Sequence, residues 1–345
     1  MKTELQAVVL VRRLWVQNAN AIASPMSYGF PALTAFTGAV HAVQRSLNAQ
    51  SMPVTLDGVG VICHAAELQT NRDSGYVTRF NLRRDPVGQD GSSAALVEEG
   101  RVHLDLSLVI GITAGCPVSA FEQQEVARRI DDCLRSMRLA GGSVLPHPSP
   151  KQGRQQSARL FELPLTDKGR SAMFRNLTRL LLPGFALISR HELLRQHWQT
   201  LLEEQPDASS LDALLDLCAL HWTPNQPPPP TERAASSNGQ IPPVDARESL
   251  AEITTWNGAR RKPGWLVPIP VGYNAVSELY APGVVKRSRD LSAPFRFVES
   301  VLSLGEWKSP HRLASLDELL WHHHARPDQG LYLVKTAADM AASPL

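Results

Sequence analysis

The chain has 345 residues, of which 43% are hydrophobic and 20% are charged. This composition is typical of a globular protein with one large core or two smaller ones, and it excludes a mainly disordered chain. The formal net charge is only +2, which excludes a strong overall attraction to nucleic acid. Local clusters of charge therefore carry more information than the total.

The cysteines, at positions 63, 116, 133 and 218, form no CxxC pair. This spacing argues against a zinc ribbon or a redox motif and is typical of buried thiols in a reducing compartment. The chain has no leader-like apolar run and no segment near the ~18 apolar residues of a membrane span. We expect a cytoplasmic protein with no membrane contact, no metal and no cofactor.

Hydrophobic periodicity predicts six elements in the first 150 residues. Apolar residues spaced by three and four predict helices, and alternating residues predict half-buried strands. Ser119 and Glu122 form a capping pair at the start of the second helix. The predicted elements are strand 7–16, helix 33–47, strand 54–64, strand 101–110, helix 120–138 and strand 143–145. Their β-α-β-β-α-β order predicts an α+β, ferredoxin-like fold, which RNA-recognition modules also use.

The loop between the first strand and helix is rich in small polar residues. Asn18, Asn20, Ser24 and Ser27 offer amide and hydroxyl groups suited to phosphates or unstacked bases. An ordinary polar loop is the alternative.

An insertion at 68–100 separates the second and third strands. Its cations alternate with aromatic residues, an arrangement that holds phosphates while stacking on bases, although a solvated hairpin is equally compatible. These residues are Arg72, Arg79, Arg83 and Arg84, with Tyr76 and Phe80.

A glycine-rich segment follows the second helix. Gly141 and Gly142 allow positive φ and close backbone approach, while Arg138 and Ser143 supply a cation and a hydroxyl group. The alternative is a simple cap that ends the helix.

The second half alternates in charge. Residues 151–195 contain nine Lys or Arg and three acids, whereas 196–222 contain five acids and no Lys or Arg. A basic RNA face beside an acidic face for a basic protein is one interpretation, and two solvated surfaces are the other. Two short basic clusters, 260–262 and 286–289, suit RNA phosphates, an acidic neighbour or plain solvation.

We therefore expect four regions. These are a ferredoxin-like RNA-binding domain at 1–150, a helical region at 151–222, a flexible proline-rich linker at 223–246 and a mixed region at 247–345 packed on the core. Helices are predicted at 167–182, 191–204, 211–220 and 316–323, and strand-like segments at 265–270 and 296–302.

Histidines raise the alternative of an RNA-cleaving enzyme. His41 lies near the polar loop, where a general base is conceivable, although a packed histidine is the more common case. On the predicted helix, His322, His323 and His324 would point about 100° apart and would not share one metal.

Several blocks of the sequence resemble the second subunit of the type I-F CRISPR surveillance (Csy) complex. They include QNANAIASPMSYGFPALTAFTGAVHAVQR, LDGVGVICHAAELQ, MRLAGGSVLP, LLPGFALISR and KPGWLVPIPVGYNA, in order along nearly the whole chain. MRLAGGSVLP also resembles the glycine-rich loop of the wider repeat-associated RNA-binding (RAMP) superfamily.

The resemblance implies a non-catalytic protein that caps the 5′ handle of the guide RNA (crRNA) in antiviral defence. It implies contacts with the large subunit and the first backbone subunit, and with target DNA only through the guide. The handle contacts it implies are Asn18, Asn20, Ser24, Ser27, Thr37, His41, Arg45, Arg138, Gly141, Gly142 and Ser143, with Arg79, Arg83 and Arg84 as thumb contacts. A crRNA-processing endoribonuclease and a protein-only adaptor using 196–222 remain the alternatives.

Overall fold

The computed structural model describes residues 4–72, 77–88, 90–149, 157–224, 256–260 and 262–342. Contacts divide the chain into two compact units, one of residues 1–196 with 264–345 and the other of residues 197–263. The described residues form a mixed α/β protein with a large antiparallel sheet of 13 strands and seven α-helices. No helix in these ranges is both long and apolar enough to span a membrane.

The strands and helices have the following bounds. The strands are β1 Ala7–Asn20, β2 Ile22–Ser24, β3 Ser27–Tyr28, β4 Thr55–Arg72, β5 Thr78–Arg84, β6 Leu96–Glu99, β7 Arg101–Ala114, β8 Arg138–Leu139, β9 Gly142–Leu145, β10 Arg159–Glu162, β11 Phe185–Ser189, β12 His221–Pro224, β13 Trp256–Ala259, β14 Leu266–Ala275, β15 Val298–Lys308, β16 Trp321–Arg326 and β17 Leu331–Thr336. The helices are α1 Leu33–Ala49, α2 Ala120–Ser136, α3 Asp167–Leu180, α4 His191–Glu204, α5 Ser210–Cys218, α6 Leu316–Leu319 and α7 Ala337–Ala342.

Four strands from the first 150 residues lie side by side in the order β4-β7-β1-β9. All of their pairings are antiparallel, and α1 and α2 contribute to the apolar cluster on one face. Each of the six elements predicted for this region is present, with ends that differ by a few residues. The longest extension is in β4, which continues to Arg72.

The apolar faces of the two helices explain their positions. Apolar residues of α1 spaced by three and four are buried against the sheet, and those of α2 are buried on the same side. Met137, just after α2, packs partly against the core. The buried residues are Leu33, Phe36, Val40, Val43 and Leu47 of α1 and Val126, Ile130 and Leu134 of α2. Ser119 and Glu122 form the predicted capping box, which satisfies the first backbone N–H groups of α2.

The remaining large strands extend the sheet from β4. The order β4-β16-β17-β14-β15-β11 returns to β4, because β11 pairs with both β15 and β4. These six strands therefore form a closed ring. Trp321 lies buried there and donates its indole N–H to the Leu187 carbonyl at 2.9 Å.

A second apolar cluster covers the opposite face of β1 and β7. Val8, Leu10 and Val109 pack there with Phe174 and Leu177 of α3. At the distal end of β1, Gln17, Asn18 and Asn20 are exposed while Ala19 is buried, and the polar loop begins at that end.

Two predictions about local structure are wrong. Gly141 does not cap a helix, because α2 already ends at Ser136 and the glycine lies in a strand turn. The predicted helix 316–323 is helical only at Leu316–Leu319, since the following residues pair as β16 with β17. Consecutive histidines in this strand point to alternate faces, and His322 pairs with Asp57 at 3.2 Å.

The second unit contains the end of α4, helix α5 and the β12–β13 pair. Ser209 and Asp212 form a capping box on α5, and His197 lies 2.7 Å from Asp216. Most of the predicted linker 223–246 lies outside the described residues.

Candidate nucleic-acid interface

The glycine-rich segment forms a two-residue turn between β8 and β9. Ala140 and Gly141 have φ of +49° and +81°, and Leu139 pairs with Gly142 across the turn. Positive φ at both central residues is the conformation of type I′ hairpin turns. Arg138 closes the turn by donating from Nε to the Gly141 carbonyl at 3.1 Å, which leaves its exposed guanidinium fixed at the turn.

Gly142 lets β9 approach β1 closely. A Cβ atom at this position would lie 2.6 Å from the Gln17 carbonyl oxygen and 2.7 Å from the Ala19 nitrogen. Neither backbone atom belongs to a flexible side chain, so no larger residue fits without moving a strand. Glycine here is therefore a packing requirement, in contrast to Gly141, which has open space around its missing Cβ.

Asn18 lies at a bulge near the end of β1, where its φ is +56°. Its backbone N–H donates to His103 Nδ1 at 3.1 Å, and its carbonyl accepts from Arg101 Nη1 at 3.4 Å. The bulge turns the exposed Asn18 toward the β8–β9 turn.

These features converge on one open cleft of about 440 Å³, which we call the polar cleft. Its lining residues are Gln17, Asn18, Gln69, Asn81, Glu99, Arg101, Arg138, Gly141, Gly142 and Ser143. The cleft offers four side-chain amides and two guanidinium groups, which suit base edges and phosphates respectively. Arg101 and Arg83 both donate to Glu99, and these bonds lower the pKa of that carboxyl group.

A second groove of about 710 Å³ adjoins the cleft through Arg138 and Gly141. Its floor is formed by small residues of α1, and Tyr273 of β14 lies at its edge with 39% of its surface exposed. Small side chains on a helix leave room for a flat or extended ligand beside the turn.

Other residues predicted to contact RNA form hydrogen bonds within the protein. Ser24 and Ser27 are buried, and their hydroxyl groups bond each other at 2.8 Å. Asn20 bonds the backbone of Ile22, and Thr37 donates to the Thr34 carbonyl at 3.3 Å. Ser24, Ser27 and Thr37 are buried, so the geometry does not favour direct RNA contacts for them. Asn20 is exposed and lines the second groove. All four assignments stay predictions.

His41 and Arg45 lie on the exposed side of α1 and line neither groove. Their assignment as handle contacts also stays a prediction. Within the described residues, no group of three or more His, Cys, Asp or Glu side chains has metal-binding geometry.

The insertion folds as a hairpin that extends β4. Strand β5 pairs with both the end of β4 and β6, and Phe80 contacts Tyr28 edge to face at 5.6 Å. Arg83 lies 2.9 Å from Glu99, whereas the exposed side chain of Arg84 forms no hydrogen bond or ion pair with described residues. Arg79 is also exposed, and the predicted Tyr76 lies outside the described residues.

The polar cleft includes residues that the sequence did not single out. Gln17, Gln69 and Asn81 come from three strands that only the folded sheet brings together. The sequence did contain a signal for Arg101, because this residue is the first on the polar face of the alternating segment 101–110.

Comparisons with known proteins identify the family of the chain. The family model for the CRISPR-associated protein Csy2 matches residues 9–334. A curated relative, CRISPR-associated protein Csy2 of Pseudomonas aeruginosa (strain UCBPP-PA14), is 49% identical over 336 residues, covering 96% of this chain and 95% of that protein. The chain is thus a CRISPR-associated protein.

Within that class, it belongs to the Csy2 family. The sequence resemblance to the second subunit of the type I-F Csy complex is confirmed, and with it a role in a CRISPR system.

Proposed function

We propose that this chain is a non-catalytic subunit that binds and caps the 5′ handle of the guide RNA. The observation that carries the proposal is the convergence of Asn18, Arg101, Arg138 and the β8–β9 turn in one polar cleft. Amides and hydroxyl groups beside exposed backbone recognise single-stranded bases, while guanidinium groups hold the phosphates.

The arrangement of the first 150 residues supports this proposal. The order β4-β7-β1-β9, with all pairings antiparallel and two helices in the core of one face, is compatible with a ferredoxin-like module related to RNA-recognition domains. We propose that the β5–β6 hairpin acts as a thumb over the RNA.

The proposed mechanism is positioning. Arg138 is held at the turn by the uncharged Gly141 carbonyl. Arg101 is oriented by the Asn18 carbonyl and by Glu99, although Glu99 also offsets part of its charge. Cations fixed in this way bind a phosphate with little loss of side-chain entropy. No bond of the RNA is made or broken in this proposal.

The proposed neighbours are the large subunit and the first backbone subunit, and the sequence of the target DNA is read indirectly, through the guide. Exposed acids in the second unit suit a basic protein surface. They are Glu203, Glu204, Asp207 and Asp212.

A titration of labelled guide RNA against the protein co-purified with its large-subunit neighbour tests the proposal. We expect tighter binding to the native 5′ handle than to a scrambled one. Arg138→Ala removes a charge-assisted contact and should weaken native binding about tenfold. Arg128→Ala is the control, because this exposed arginine pairs with Glu125 and lines neither groove.

Equal binding of native and scrambled handles would reject handle recognition. Shortening of the labelled RNA would favour the endoribonuclease, and assembly without RNA binding would favour the protein-only adaptor. An equal loss for the Arg138 and Arg128 variants would reject the assignment of Arg138.

A further inference from the structure

A long excursion between β14 and β15, residues 276–297, carries three exposed cations near its tip. We call this segment the C-terminal arm. Lys286, Arg287 and Arg289 form no hydrogen bond or ion pair through their side chains with the described residues. Arg287 adopts a φ of +62°, which places it at a sharp change of backbone direction.

The lower part of the arm is held in a defined conformation. Tyr280 and Phe295 exchange backbone hydrogen bonds of 2.8 and 3.0 Å, and Phe297 contacts both of their rings edge to face. Arg296 also donates to the Pro327 carbonyl at 2.9 Å. The first contacts close the base of the arm, and the Arg296 bond ties that base to the turn between β16 and β17.

The acidic groups of the arm offset only half of its positive charge. The arm contains four Lys or Arg residues and two acids, Glu278 and Asp290. Asp290 accepts hydrogen bonds from the Ser292 hydroxyl at 2.6 Å and from the Ser292 N–H at 2.8 Å, which lower the pKa of its carboxyl group. This acid therefore caps the turn, while the neighbouring cations face solvent.

The base of the arm lies beside the proposed RNA interface. Tyr273, two residues before the end of β14, lines the groove that also contains Arg138 and Gly141. A nucleic-acid strand that leaves the polar cleft and follows this groove over α1 therefore passes Tyr273, close to the start of the arm. This continuity favours a nucleic acid over an acidic protein as the arm's ligand.

We propose that the C-terminal arm is a second phosphodiester-binding element, in which Lys286, Arg287 and Arg289 contact the backbone of a nucleic acid. The choice of a nucleic acid rests on the proposed function, although the arm itself lies outside the polar cleft. The shared chemistry is the phosphodiester backbone, and its source is either the guide RNA or the target DNA.

The test compares the triple variant K286Q/R287Q/R289Q with the unchanged protein, each assembled in the complete complex. Guide-RNA retention and binding of a target DNA duplex are measured as functions of salt. Loss of three phosphate contacts should lower the magnitude of the log–log salt slope by roughly two for a single strand and by roughly three for a duplex. K168Q/R175Q/R179Q removes the same charge from α3, at exposed positions whose side chains form no ion pair with the described residues, and serves as the matched control.

A reduced slope for RNA assigns the arm to the guide, and a reduced slope for the duplex assigns it to the target; either result supports the proposal. Unchanged slopes overturn it, as does an equal reduction in the control. Loss of a protein subunit with unchanged nucleic-acid binding also overturns it, in favour of an acidic protein ligand. The same samples are also tested for preferential binding of the native handle over the scrambled one. If the unchanged protein shows no such preference, the proposed function fails, and the result for the arm is judged separately from its salt slopes.

Discussion

Two arms leave the sheet of the first unit, and they differ in how their cations are used. In the insertion arm, formed by β5 and β6, Arg83 lies 2.9 Å from Glu99 and 3.9 Å from Asp85. In the C-terminal arm, Lys286, Arg287 and Arg289 have no acidic partner among the described residues. The insertion arm has the clearer sequence pattern of basic and aromatic residues, yet more of its positive charge is neutralised by acids.

This difference shows that a count of basic residues does not measure the charge available to a ligand. An exposed ion pair contributes only about 0–1 kcal/mol to stability, yet it cancels most of the field around the cation. Phosphate binding depends on cations that release counterions from the nucleic acid, which paired arginines do less effectively. Under the proposed function, Glu99 therefore limits the positive charge that the insertion arm offers to RNA.

The largest expected effect is on protein stability, from a substitution in β14, the strand that leads into the C-terminal arm. Gly272 lies at a bulge of β14 with a φ of +151°, and an added Cβ would lie 2.0 Å from the Tyr332 carbonyl oxygen. Gly272→Ala must displace β14 from β17, so we expect it to destabilise the protein by about 3 kcal/mol in denaturant unfolding.

Gly283→Ala is the control for this prediction. Gly283 lies within the arm at a φ of +77°, and the nearest atom to an added Cβ is the Leu291 oxygen at 3.8 Å. Only the cost of the left-handed conformation applies, about 1 kcal/mol. Equal losses for the two variants would show that β14 and β17 do not anchor the arm.

Releasing the paired arginines of the insertion arm should make the two arms more alike. Glu99→Gln removes the acid that binds Arg83 and Arg101, so RNA affinity should rise and the magnitude of the salt slope should increase by about one. Glu98→Gln is the matched control, because Glu98 is exposed on the same strand and forms no side-chain bond with described residues. A gain shared by both variants would indicate a general charge effect.

The sequence predicted the local elements well where hydrophobic periodicity and capping decide them. The apolar face of α1 and the Ser119–Glu122 box identified both helices of the first 150 residues. The alternation in 101–110 identified β7, which continues to Ala114. These signals lie within one element, so no tertiary information was needed.

Residues 316–323 show where such signals fail. Their apolar content fits a helix, but Trp321 and the histidines gain backbone partners in Leu331–Thr336, which the helical pattern did not reveal. Pairing with that strand and burial of Trp321 outweigh the local helical preference.

The candidate interface was predicted only in part, for a similar reason. Asn18, Arg138 and Gly141 were singled out from two separate segments, and the cleft contains all three. The burial of Ser24 and Ser27 depends on how the β2–β3 hairpin packs, so their polar character alone did not reveal that their hydroxyl groups bond each other. Gln69 and Asn81 lie in the cleft because their strands pair, and sequence spacing does not specify that pairing.

The smallest expected effect is the titration of Glu99, which reports the strength of the pairing in the insertion arm. Hydrogen bonds from Arg101 and then Arg83 lower its pKa, so the pairing is complete above the unfolded-state pKa, near 4.3, and is lost as pH falls through the lower folded-state value. NMR titration of the Glu99 carboxyl carbon should therefore give a midpoint below the ordinary value of a glutamate side chain. Arg101→Gln should raise that midpoint more than Arg83→Gln, because Arg101 is the larger cause. A midpoint unmoved by either substitution would show that the carboxylate is not paired, and the contrast between the two arms would then disappear.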